Sequence, residues 1–287
     1  MTKSLIVYFS QGGTTAQVAE SISAGLRGAE HQVRLCNLKD ERPPSLAGYD
    51  LLGTGFPVYI FRPPFNVLDY LEALPDLAGL SAFVFELYSI DRGDAGNLAR
   101  RILRAKGAQE IGYFYTRGAE YFLGYLRQGY LFSADHPTAE ELDMAEAFGR
   151  EVSARFAGQE YPRPDEDEPP SGIYRLERFL TRRWLVKHVY SRLFRVKVQA
   201  CIACGLCMKR CPTRNIAENS QGRPVWSRNC LLCLYCEMVC PVEAIVSPLS
   251  WPIAHPFIAY NIRRASRDPS VDYARVTFSQ GRVRRVE

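Results

Sequence analysis

The chain has 287 residues, 47% of them hydrophobic, with nine cysteines and a formal net charge of +5. At roughly 100–200 residues per domain, this length suggests two domains, each long enough to bury a core. The composition excludes a mostly disordered chain, and no apolar run approaches the ~18–20 residues of a membrane-spanning helix.

No basic n-region, apolar h-region and small-residue cleavage site precede the strand-like run at Leu5, so a cytoplasmic location is expected. In that compartment the cysteines are metal ligands or catalytic thiols sooner than disulfides. The charge is an average over unlike parts. Residues 1–172 hold 16 Lys+Arg and 24 Asp+Glu, a net of −8, and residues 173–287 hold 20 and 7, a net of +13. Cys36 alone lies in the first part, read as a buried structural thiol, and the other eight cysteines lie in the second.

In chain order, Leu5 to Phe9 is a continuous apolar run, as a buried parallel strand requires. A helix follows over Thr14–Leu26, with Val18, Ile22 and Leu26 at spacing four. Further strands are expected at Gln32–Cys36, Asp50–Gly53, Ala82–Leu87 and Gln109–Tyr115, and helices near 64–74, 95–106 and 138–157. This alternation predicts an α/β fold, a doubly wound five-stranded parallel sheet with helices on both faces, over residues 1–157. Residues 112–137 add eight aromatics, an insertion expected to roof a ligand, dock the second module or pack on its own domain.

Residues 158–172 read as an acidic, Pro-rich linker, with Pro162, Pro164, Pro169, Pro170 and four acids from Asp165 to Glu168. Residues 173–197 read as a basic helical connector. Its bland use is to pack its apolar side and solvate its charges. An acidic redox partner or peripheral membrane contact are less favoured uses. No nucleic-acid motif accompanies the charge, so nucleic acid is not expected. The tail, 248–287, ends in an alternating run from Val276 to Arg284 that suggests a hairpin.

The cysteine segment, 198–247, carries the strongest signal. Cys201, Cys204, Cys207 and Cys211 form C-x2-C-x2-C-x3-C before Pro212. Cys230, Cys233, Cys236 and Cys240 repeat it before Pro241, each at an offset of 29 residues. Three cysteines two residues apart wrap one cubane, and the fourth reaches the other cluster. On that rule Cys201, Cys204, Cys207 and Cys240 hold one [4Fe–4S] centre, and Cys230, Cys233, Cys236 and Cys211 hold the second. Ile202, Leu206, Ile216, Leu231, Leu234, Val242 and Ile245 are candidates for an apolar coat. Structural zinc is disfavoured, because its cysteine pairs are separated by a long loop.

After the first strand, Ser10-Gln11-Gly12-Gly13-Thr14-Thr15 opens a helix. The glycines allow close backbone approach, and helix-opening N–H groups attract an anion. There is no Gly-Lys-Ser/Thr and no G-x-G-x-x-G, which argues against a triphosphate loop and a dinucleotide site. A cradle without a cation suits a phosphate monoester; an ordinary Gly-rich turn is the alternative.

This loop resembles the flavodoxin phosphate loop, with Ser10, Gly13 and Thr15 matching its pattern. Pro57-Val58-Tyr59 resembles the flavodoxin loop whose aromatic stacks on the isoalloxazine, a role that the resemblance assigns to Tyr59. The third flavin loop departs from the family, reading Glu86-Leu87-Tyr88-Ser89-Ile90-Asp91 with Gly93 late. Either it has shifted, with Tyr88, Asp91 and Gly93 along the flavin edge, or flavin binding is altered. An acid there, Asp91 or Asp94, would lower the potential of the reduced ring.

The cysteine segment resembles the two-cluster bacterial ferredoxins, a small α+β domain. The whole chain resembles the fused flavodoxin–ferredoxin proteins of anaerobes. The resemblance implies FMN and two low-potential [4Fe–4S] clusters. The expected function is single-electron transfer between clusters and FMN, with redox partner proteins. A flavin reductase of a quinone or unsaturated ring compound is the alternative, and a flavin-free docking scaffold is a third reading. No constellation suggests nucleophilic or acid–base catalysis.

Overall fold

A computed structural model describes residues 1–166 and 172–286. Asp167, Glu168, Pro169 and Pro170 of the expected linker lie outside the described residues. The described chain forms two compact units, Met1–Gly118 with Asp135–Glu177, and Ala119–Ala134 with Arg178–Glu287.

The first unit runs β1 (Lys3–Tyr8), α1 (Thr14–Gly28), β2 (Gln32–Asn37), β3 (Leu51–Pro57), α2 (Phe65–Ala73), β4 (Ser81–Tyr88), α3 (Ala95–Ala105) and β5 (Gln109–Arg117). The chain then leaves it for α4 (Leu123–Leu126) and β6 (Tyr130–Phe132), and returns as α5 (Ala139–Phe156). The five strands are all parallel, in the order β2-β1-β3-β4-β5. The order reverses between β1 and β3, so the loops after these strands flank the crevice where such sheets bind ligands. Leu5, Ile6, Val7 and Phe9 are fully buried, as helices on both faces demand. The expected stripe of Val18, Ile22 and Leu26 faces the core. α5 begins with a capping box, Thr138 accepting from the Glu141 N–H while the Glu141 carboxylate accepts from the Thr138 N–H.

Part of the acidic stretch is pinned to this unit. Arg100, fully buried, pairs with Glu110 at 2.6 Å and donates to the Pro164 carbonyl at 2.9 Å. Glu166 bridges Arg101 and Arg104. Glu166 therefore compensates cations on α3 while remaining exposed.

The basic connector is not one helix. It forms α6 (Gly172–Leu180), α7 (Arg183–His188), a short 3-10 turn and β7 (Arg195–Val196). Arg182 adopts an extended backbone, ψ 148°, which ends the helical run. The unit boundary itself falls within α6, between Glu177 and Arg178.

The second unit continues with α8 (Leu206–Lys209), β8 (Ile216–Glu218), β9 (Pro224–Trp226), α9 (Tyr235–Met238), β10 (Ile245–Val246), α10 (His255–Ala265), β11 (Tyr273–Ser279) and β12 (Arg282–Arg285). The expected tail hairpin is present as β11 and β12 around Gln280-Gly281, both with positive φ. β6 pairs antiparallel with β11, making a three-stranded sheet β12-β11-β6. The aromatic insertion thus contributes a strand to the second unit. Glu237 of α9, fully buried, accepts from Arg127 Nη1 and Ser250 Oγ, both at 2.7 Å, and from the Ser247 N–H at 3.0 Å. Among the described residues, no helix is long and apolar enough to cross a membrane.

Candidate functional site

The loop after β1 is shaped by Ser10. Its buried hydroxyl accepts from the Gly13 N–H and the Ala16 N–H, each at 3.2 Å, and Asn37 Oδ1 receives the Ser10 N–H. Ser10 is therefore the brace of the loop. The first N–H groups of a helix lack intrahelical partners, and Thr14 and Thr15 open α1. Gly13 sits at φ 107°, and a β-carbon built on Gly12 or Gly13 meets nothing within 4 Å. The loop is an open cradle with a helix N-terminus at its base, which fits a phosphate group.

The loop after β3 comes to the same end of the sheet. The Val58 N–H donates to the Leu87 carbonyl at 2.7 Å, and the Tyr59 hydroxyl donates to Gln11 Oε1 at 2.7 Å. Tyr59 also stands edge-on to Phe9 with centroids 6.1 Å apart. Tyr59 and Arg62 close a tight turn through paired backbone bonds, with Ile60 and Phe61 both left-handed at φ 49° and 60°. Two consecutive non-glycine residues in that region cost about 1–2 kcal/mol each, a strain of the kind found at ligand clamps.

The loop after β4 meets this turn. Gly93 has φ 58°, and a β-carbon on it would lie 2.5 Å from the Phe61 Cβ and 3.0 Å from the Tyr174 ring. Its N–H donates to Asp91 Oδ1 at 2.9 Å, and Asp94 pairs with Arg101 at 2.7 Å. Tyr88 is flanked by cations, Arg117 at 5.1 Å and Arg92 at 5.9 Å from its ring, and by Tyr115 at 6.3 Å. The three loops therefore gather Gln11, Tyr59, Phe61 and Gly93 at one end of the sheet. Sequence reasoning missed Phe61 and Tyr174, whose only signal was an aromatic two residues beyond the Pro-Val-Tyr run and another opening the basic stretch.

The cysteines ring two cavities. Cys211, Cys230, Cys233 and Cys236 line one, with Phe194, Asn215, Trp226, Leu231 and Leu234. Cys201, Cys204, Cys207 and Cys240 line the other, with Ile202, Gly205, Pro224, Val242 and Ile245. Each fourth cysteine crosses to the other loop's cavity, as the spacing rule requires. Among the described residues no three His, Cys, Asp or Glu side chains converge on a single-ion point; the sulfurs stand around a volume, which fits a polynuclear group.

The repeat extends to the backbone. Ala203 and Leu232, Gly205 and Leu234, and Arg214 and Glu243 share positive φ at matched positions. The Asn215 N–H donates to Cys211 Sγ at 3.3 Å, and the Ala244 N–H to Cys240 Sγ at 3.2 Å. Leu232 and Leu234 adopt what Ala203 and Gly205 do, so a small side chain is not a requirement of this geometry.

Burial differs between the cavities. Cys230 and Cys236 are buried in one; in the other Cys240 is buried and Cys204 is exposed. Ile202, expected in the apolar coat, is 62% exposed, whereas Leu231, Leu234, Ile216 and Ile245 are buried. Burial pushes the Cys207 thiol up to about 11 and Cys230 up to about 12. Thiolates at these positions need cationic iron beside them. Burial likewise raises the Cys36 thiol to about 11, in keeping with an inert core cysteine.

A flavodoxin domain family matches residues 5–128, and a 4Fe-4S dicluster domain family matches residues 194–241. The chain is a fused flavodoxin–ferredoxin. Solved structures similar to the flavodoxin part of this fusion include a flavodoxin from the domain Archaea, at 16% identity and a TM-score of 0.44, covering 54% of this chain and 99% of that one. Flavodoxin 2 from Bacillus cereus gives 22% identity and 0.44, covering 54% and 99%. Rubredoxin oxygen:oxidoreductase from Desulfovibrio gigas gives 12% and 0.45, covering 55% and 36%. No curated protein matches the sequence. A flavodoxin domain implies FMN and a 4Fe-4S domain implies iron–sulfur, so the fused flavodoxin–ferredoxin serves electron transfer.

Proposed function

We propose that the chain holds two [4Fe–4S] clusters and one FMN and passes single electrons between them. The observation that carries this is the sorting of eight cysteines into two cavities of four, each completed by a cysteine from the other loop. Cys201, Cys204, Cys207 and Cys240 would hold one cluster, and Cys211, Cys230, Cys233 and Cys236 the other. Clusters exchange one electron at a time and a flavin stores one or two.

Ser10, Gly12, Gly13, Thr14 and Thr15 would cradle the FMN phosphate, with Gln11 tied to Tyr59 beside it. Pro57, Val58 and Tyr59 would border the ring on one side and Tyr88, Asp91 and Gly93 on the other. What these residues do is hold and orient. Ser10 braces the cradle, and the Phe61–Gly93 contact fixes the separation of the two flanking loops. Arg101 takes up the charge of Asp94, which weakens that residue as a source of negative field at the ring.

The second unit carries a net positive charge, so its redox partner is expected to be acidic. Stopped-flow mixing with dithionite tests the relay. Cluster bleaching followed by flavin reduction within seconds supports it. Clusters that reduce while the flavin stays oxidised over minutes would refute it. Steady turnover of small quinones would instead favour a reductase.

A further inference from the structure

Among the described residues, two buried side-chain N–H groups at one cysteine cavity have no hydrogen-bond partner, Asn215 Nδ2 and Trp226 Nε1. Both residues line the cavity of Cys211, Cys230, Cys233 and Cys236. Leaving a buried donor unmet is costly, so such groups call for an explanation. Both are held in place. The Asn215 carboxamide oxygen accepts from the Asn229 N–H at 2.6 Å, which orients its NH2. The Trp226 indole stacks on Phe194 with centroids 5.1 Å apart, and both rings line the cavity that Cys236 also lines.

The other cavity has nothing comparable. Apart from its cysteines, its lining side chains are apolar or absent, among them Ile202, Ala203, Leu206, Met208, Pro241 and Val242. The position matching Asn215 in the repeat is Ala244. Backbone donors are matched, Asn215 N–H to Cys211 and Ala244 N–H to Cys240. The difference between the two cavities thus lies in side-chain donors and in burial.

We propose that Trp226 and Asn215 donate hydrogen bonds to sulfur of the cluster held by Cys211, Cys230, Cys233 and Cys236, and raise that cluster's reduction potential. This rests on the two-cluster reading above. Reduction adds one electron and one negative charge to the cluster, and an N–H dipole aimed at the sulfur stabilises that charge. Burial alone disfavours added charge. The two donors offset this in the buried cavity, whereas solvent does so at the exposed one. Trp226 and Asn215 are thus tuning residues that act on the cluster without ligating it.

The test uses the full-length protein, anaerobically reconstituted, with iron content and the potential of each cluster read by EPR-monitored redox titration. Trp226→Phe keeps the ring stack and removes the donor; Asn215→Ala copies the other repeat. Each is expected to make reduction of one cluster about tenfold less favourable, 59 mV for one electron, and to leave the other unmoved. In the wild type, an exchangeable proton coupled to that cluster should be visible by ENDOR and lost in Trp226→Phe. Two clusters with unmoved potentials, or no exchangeable-proton coupling beyond that kept in Trp226→Phe, would overturn the assignment. If either variant fails to load iron, the wild-type coupling and the other variant decide. Wild-type protein that holds fewer than two clusters refutes the cluster reading itself, and the assignment with it.

Discussion

Arg127 donates to Glu237 at 2.7 Å, although the two residues are 110 positions apart. The pair joins the insertion carrying α4 and β6 to α9, the short helix that contains Cys236. Glu237 is fully buried, with Ser247 and Ser250 supplying its remaining partners. Removing one member of a buried pair leaves an uncompensated charge, at about 3–5 kcal/mol. Arg127 is one-third exposed, so Arg127→Ala is expected near the lower end. A lowered unfolding temperature and faster iron loss to a chelator check this; unchanged stability would show that the serines suffice.

A second expectation concerns the linker. The chain passes between the units after Gly118, after Ala134 and after Glu177. A nick between residues 158 and 172 falls within the first unit, ahead of the last crossing, and leaves the crossings after Gly118 and Ala134 on one fragment. Residues 119–134 remain paired with β11, so the two fragments should co-elute by size exclusion without denaturant. Fragments that separate freely would show that β6 contributes little to the second unit.

These two residues and this strand also mark where sequence reading stops. The strands of the parallel sheet and its helices were legible because each is a local pattern, an apolar run or a four-residue stripe. The crossed cysteine sets were legible because metal geometry fixes their spacing. The departure of residues 119–134 was not. β6 pairs with residues 273–275, and an aromatic stretch reads alike whichever sheet it joins. The basic stretch misled because its apolar spacing persists through Arg182, where the backbone turns extended. The pairing of Glu166, one of the linker acids, was not legible because its partners, Arg101 and Arg104, lie more than sixty positions away.

Gly93 admits no side chain. Its φ of 58° and the 2.5 Å approach of a β-carbon to Phe61 act together. Gly93→Ala is expected to displace the turn at Ile60 and Phe61, lower stability by about 1–3 kcal/mol, and weaken FMN binding. Titration of the apo-protein by flavin fluorescence quenching checks it. Ser10→Ala should weaken FMN binding too, because the Gly13 and Ala16 N–H groups lose their acceptor.

His31 gives a pH dependence. It is buried between Ser4 Oγ at 2.8 Å and Ser153 Oγ at 2.9 Å, and burial holds its imidazole below the usual 6.5. The unfolded chain therefore binds the proton more readily than the fold. Stability is full above 6.5 and falls as pH drops from there toward the lowered folded value. Thermal release of FMN should shift to lower temperature as pH falls below about 6.5. His31→Gln should flatten that slope.

The central claim is that one chain carries two clusters and a flavin in electronic contact. An anaerobic reductive titration of the purified, loaded protein tests it most directly, with flavin and cluster absorbance followed together. Uptake of about four electrons per chain is expected, one for each cluster and two for FMN, with flavin and clusters reaching a common equilibrium after each addition. Uptake of about two electrons, or a flavin that stays oxidised beside reduced clusters, would contradict it.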